Sequence, residues 1–109
     1  MKFTKFVNIC GIPHKIYFQK DSFNTDMCLG DIQYDKAVIR INDESAPDIK
    51  REALCHEIAH GILIHIGRAD LSNDETFVTA LGNALNQSFN PAIYSEKTEE
   101  ITDEDRADS

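Results

Sequence analysis

The stretch 53–66 limits what this chain can become more than any other. Its apolar residues are interrupted only by Gly61 and by the side chains of His56, Glu57, His60 and His65. Wound as an α-helix, such a run is apolar over most of its circumference. A helix of that kind has to lie between two layers, a sheet on one side and a second helix on the other.

Within the run, His56-Glu57-Ile58-Ala59-His60 fits the pattern H-E-x-x-H. Residues four apart stand about 400° apart around a helix axis, so His56 and His60 project from one face and can offer two imidazole nitrogens to one ion. Glu57 lies about 100° further round, within reach of a water on that ion without being a ligand itself. Water bound to zinc is acidic near neutral pH, and a carboxylate beside it can take the proton and later pass it to a leaving amine. That is the chemistry of amide hydrolysis. Burying three polar side chains among Leu54, Ile58, Ile62 and Leu63 without partners would be costly, which favours a metal site over an incidental pattern.

A catalytic zinc needs a third protein ligand and an open position. Glu75, fifteen residues after His60, opens a second helical stretch, and antiparallel packing of the two helices would return it to the histidines. Its competing role is local, since Ser72 with Glu75 also reads as a capping box. His65 is the rival ligand, but in a continuous helix it stands about 140° from His60 and would need a break at Gly61. Cys55 points elsewhere on the helix and reads as a small buried residue. Thr79 and Asn83, one and two turns after Glu75, are the expected hydrogen-bond partners of the ligating histidines.

Upstream, alternation of Val7 and Ile9 with Asn8 and Cys10 predicts a strand ending at Gly11, and residues 14–19 predict a second. A turn is expected over 20–26. Residues 27–34 and 37–41 read as a hairpin joined at Asp35-Lys36, with Val38, Arg40 and Asn42 on one face and Ile39 and Ile41 on the other. Ser45 with Asp48 is a possible capping box and Pro47 suits a first helical turn, so the motif helix should run from there to about Gly67. The following helix spans 74–89, stopped by Asn90-Pro91, with Phe77, Val78, Leu81, Ala84 and Leu85 as its core stripe. Gly82 falls on the Glu75 face and would let the two helices approach closely. The expected fold is α+β, a three- or four-stranded, mainly antiparallel sheet packed on the motif helix and the glutamate helix.

The 109 residues make one domain, placed at 1–90, followed by an acidic tail at 91–109. Residues 90–109 hold seven acids and two bases, most of the net charge of −8, which argues against nucleic acid as a partner. The N-terminal residues alternate polar and apolar, so no signal peptide is expected. No run reaches the length of a membrane span. Cys10, Cys28 and Cys55 follow no disulfide or zinc-ribbon spacing, and a reducing, cytoplasmic setting is expected.

Three segments taken in order, residues 29–34 with 37–41, then 54–60, then 73–78, resemble the small ImmA/IrrE-type metallopeptidases. The chain is also similar to the minigluzincins, compact zincins built from a small sheet, a motif helix and a glutamate helix. The resemblance covers the chain to about Gln87; H-E-x-x-H is its specific part. It implies zinc held by His56, His60 and Glu75, Glu57 as general base, and a peptide lying along an edge strand, 37–41 or its hairpin partner. It implies a protein substrate of the repressor-like kind that such enzymes of phages and mobile elements cleave. The metzincin extension is absent, since Leu63 and Ile66 stand where it requires Gly and His. The separate sensor or helix-turn-helix domain of the larger members is not expected from these residues, and no clear downstream oxyanion donor is found; Tyr34, His14 and Tyr94 are the substitutes available. The alternative function is a zincin-fold binding module, catalytically weak or inactive, that occupies a host or regulatory protein.

Overall fold

Two hairpins and three helices make up the described chain, which in this computed structural model comprises residues 2–20 and 29–91. Strands β1 (Lys2–Ile9) and β2 (Ile12–Gln19) pair antiparallel across Cys10-Gly11. Both turn residues have positive φ, 52° and 86°, as a two-residue hairpin turn matched to the strand twist requires. Strands β3 (Gly30–Gln33) and β4 (Val38–Asn42) form the second hairpin around Asp35-Lys36. The expected turn over 20–26 falls largely outside the described residues, as do Met27, Cys28, Tyr94 and the acidic tail beyond Pro91.

The four strands run in the order β1-β2-β4-β3. The expected mainly antiparallel sheet is therefore corrected to a mixed one, because its central pair, β2 with β4, is parallel. Burial explains the order. Ile39 and Ile41 of β4 are fully buried, whereas every residue of β3 is half-buried. The more apolar strand takes the interior position and β3, next in sequence after β2, lies one place away at the edge.

One face of the sheet gathers Ile9, Ile16, Phe18, Ile39 and Ile41 against Ala53 and Leu54 of helix α1 (Pro47–His65). The far side of α1 packs Ala59 and Leu63 on Val78 of helix α3 (Glu75–Phe89), with Leu71, Leu81 and Leu85 around them. The motif helix is thus enclosed from two sides, as its apolar circumference demands. Phe77 and Ala84, expected in the core stripe, are exposed. They lie to one side of the face formed by Val78, Leu81 and Leu85.

The helix ends differ in part from expectation. The Ser45–Asp48 capping box does not form; the N-cap is Ala46, held extended (φ −61°, ψ 153°) before Pro47 with no side-chain cap. A residue preceding proline is driven to that conformation, which moves the start past Ser45. A buried ion pair between Lys50 Nζ and Asp43 at 2.6 Å ties this end of α1 to the residue after β4. At the other end Gly67 has φ +83°, while the Arg68 N–H donates to Leu63 C=O and the Gly67 N–H to Ile64 C=O. This pair of bonds is the Schellman stop that glycine permits. The connection that follows is not irregular throughout; it includes a single helical turn, α2 (Ala69–Ser72). Among the described residues, no helix is long and apolar enough to cross a membrane.

Candidate metal centre

Helix α1 presents His56 and His60 from one face, their rings 5.0 Å apart and crossed at 69°. The antiparallel return through α2 places Glu75, the first residue of α3, opposite them. Its two carboxylate oxygens lie 3.2 Å from His56 Nε2 and 3.3 Å from His60 Nε2. The ligand atoms of the three side chains all fall within 4.8 Å of one another, a cluster that could hold a metal ion. Two imidazole nitrogens and a carboxylate oxygen are a donor set that divalent zinc accepts.

Local sequence leaves Glu75 available for this role. The N-cap of α3 is Asp74, whose Oδ1 accepts the Phe77 N–H at 3.2 Å. The competing Ser72–Glu75 capping box is therefore not made. Ser72 instead turns inward, 3% exposed, with its Oγ 2.9 Å from His60 Nδ1. If Nε2 ligates a metal, Nδ1 carries the ring proton, and Ser72 Oγ is placed to accept it and hold the ring. Sequence reasoning assigned this service to Thr79 and Asn83; those residues line a neighbouring cavity. The serine of a cap-like Ser-x-x-Glu pattern, twelve residues after His60, was the signal available for the true partner.

Gly82 sets the helix spacing. A Cβ there would come within 3.1 Å of His56 Cα and 3.3 Å of His56 N, tighter than most packed contacts, so a larger residue would push α3 a few tenths of an ångström from the motif.

Glu57 is 9% exposed and borders the same cavity as His56. Burial, then the nearby charges of Asp31 and Glu75, push its carboxyl up to about 7. A proton acceptor that titrates there is matched to water activation at neutral pH. Burial also lowers the His60 pKa, against the opposing pull of Glu75, which favours the neutral imidazole a metal requires. The adjoining cavity, about 490 Å³, lies between Leu29 and Gly30 at the start of β3 and the facing sides of α1 and α3.

The other proposed participants are elsewhere. His65 packs its ring 5.4 Å from that of His14 and is not part of the cluster. Its direction follows from an unbroken helix through Gly61. Cys55 is buried, its thiol pushed up by that burial against the lowering effect of Arg51. His14 is fully buried, with Nδ1 2.8 Å from Ile12 O, and neither it nor Tyr34 borders the cavity.

Comparison with known protein families, curated proteins and solved structures finds no match to this chain.

Proposed function

We propose that this protein is a zinc-dependent metallopeptidase of zincin type, similar to the small ImmA/IrrE enzymes, that hydrolyses peptide bonds in a protein such as a repressor-like regulator. One observation carries the proposal: His56, His60 and Glu75 converge from two helices while Glu57, buried and titrating near neutrality, borders the cavity beside them. His56, His60 and Glu75 would hold the metal. When bound, zinc supplies Lewis acidity toward a carbonyl and makes water acidic.

The chain's own residues do the rest. Ser72 Oγ is placed to accept from His60 Nδ1 when Nε2 ligates. The Glu57 carboxylate takes the proton of the attacking water and returns it to the amine nitrogen as the peptide bond breaks. Burial raises this carboxyl in the metal-free protein, and the charge of a bound ion would draw it back toward the carboxylate that accepts the proton. Low exposure keeps bulk water from competing for that proton.

The test pairs metal analysis with cleavage. One zinc per chain in the native protein, with a Glu57→Gln variant that keeps the zinc and loses about a thousandfold in cleavage rate, supports the proposal. Equal cleavage by the variant would remove Glu57 from the mechanism, and protein that takes up no zinc would sink the metallopeptidase.

A second reading, a binding module of the same fold, is favoured by one feature. Neither His14 nor Tyr34 borders the cavity to serve as an oxyanion donor. A module of that kind would hold zinc and a partner protein with no turnover, so product formation at catalytic amounts of protein separates the two.

A further inference from the structure

The metal ligands continue into two facing rows. On α1, His60, His56 and Glu52 succeed one another at intervals of four residues, and on α3 so do Glu75, Thr79 and Asn83. Residues four apart share a helix face about 6 Å further along. The helices run antiparallel with Gly82 against His56, so the rows lie alongside each other: ligands at one end, Glu52 and Asn83 at the other. The cavity of about 490 Å³ fills the space from His56 and Glu57 to that second end.

The lining of the cavity is chemically one-sided. Leu29 and Ala53 offer it apolar surface, Glu52 and Glu57 bring carboxylates, Thr79 and Asn83 bring groups that both donate and accept, and it contains no lysine or arginine. Glu52 is exposed and makes no ion pair or hydrogen bond among the described residues. Its neighbour Arg51 is engaged with Asp48 and with the Pro91 carbonyl. An apolar wall leading to an uncompensated carboxylate suits a side chain with an aliphatic stem and a cationic tip.

We propose that this cavity receives a lysine or arginine side chain of the bound peptide, at a residue flanking the bond to be cleaved, and that Glu52 recognises its charge. The proposal rests on the peptidase reading above. With the scissile carbonyl at the histidines, an extended lysine side chain, about 6 Å from Cα to Nζ, spans the one helical turn between His56 and Glu52. The stem would lie against Leu29 and Ala53, and the tip between Glu52 and Asn83.

The probes are three peptidyl hydroxamates that differ only in the side chain beside the zinc-binding group: lysine, leucine or glutamate. They are titrated by calorimetry into zinc-loaded protein of measured zinc content. The lysine compound should bind about fivefold more tightly than leucine, the range of an exposed ion pair, with glutamate weakest. Glu52→Gln should erase the lysine advantage without changing leucine affinity, and Glu52→Lys should reverse the order. Both changes fall at an exposed helix position, so thermal melts should match the native protein. Three equal affinities, or a lysine advantage that survives Glu52→Gln, would overturn the assignment of Glu52 and leave the peptidase reading intact. Zinc-loaded protein that binds none of the three would overturn both.

Discussion

The molecule contains two histidine pairs of nearly the same shape. His56 and His60 cross at 69° with centroids 5.0 Å apart; His14 and His65 cross at 82° with centroids 5.4 Å apart. The first pair meets a carboxylate from another helix and opens on a cavity. The second lies between β2 and the end of α1, and both of its Nε2 atoms are buried without a hydrogen-bond partner. Ring proximity is therefore not what makes a metal site. The difference lies in what the Nε2 atoms face: a carboxylate from another helix and an open cavity beside the first pair, and neither beside the second.

The comparison breaks most sharply at the third ligand. Glu75→Ala should weaken zinc binding by a hundredfold or more, since two imidazoles alone are an incomplete site, whereas His65→Ala should leave zinc content unchanged. Metal analysis after dialysis against a chelator reads both; loss of zinc in the His65 variant would move the centre to the other pair.

Next in size is a pH effect confined to the first region. Folding raises the Glu57 pKa from 4.5 to about 7, so the native state binds this proton more tightly than the unfolded chain. Below about pH 4.5 both states are protonated and Glu57 has no effect. As pH climbs from there through about 7, the unfolded chain ionises first and metal-free protein loses stability, by about 3 kcal/mol at most. Urea unfolding of the metal-free protein across that window should show this slope, and Glu57→Gln should abolish it. Bound zinc should flatten it, because the ion's charge favours the carboxylate.

Smaller still, Ser72→Ala should cost about tenfold in zinc affinity by freeing the His60 ring, with Glu75 and His56 unaffected. An unchanged affinity would reduce the Ser72 contact to packing. Smallest of all, His65→Leu removes a buried, unpartnered nitrogen from the second pair. It should raise the urea midpoint, by about 1 kcal/mol in stability, with no change in zinc binding.

Much of the frame could be read from local patterns. The run 53–66 announced a helix enclosed on both sides, the alternation at residues 38–42 announced the face that Ile39 and Ile41 bury, and Gly82 announced close helix packing. Each depends on a period of two or 3.6 residues within one element. What escaped depends on choices between elements. The parallel match of β2 with β4 is settled by which strand has more apolar surface to bury. In the sequence Ser72 reads only as the rival cap of α3; Asp74 caps that helix, and Ser72 meets an imidazole from another helix. Phe77 scored as core on spacing alone, although Val78 beside it takes the buried position.

The parallel central pair has a further consequence, for the order of assembly. Contacts between β2 and β4 join residues 23 apart, as Lys15 with Val38, and need the β3 strand to be set aside at the edge. His60 and Glu75 lie 15 apart, with a helical turn already in the connection. Loop-closure entropy favours the shorter link and the more local contacts. The helical pair with His56, His60 and Glu75, like each hairpin, accordingly closes on a shorter link than the central strand pair. The cluster that could hold a metal ion would then be assembled before the sheet beneath it is complete.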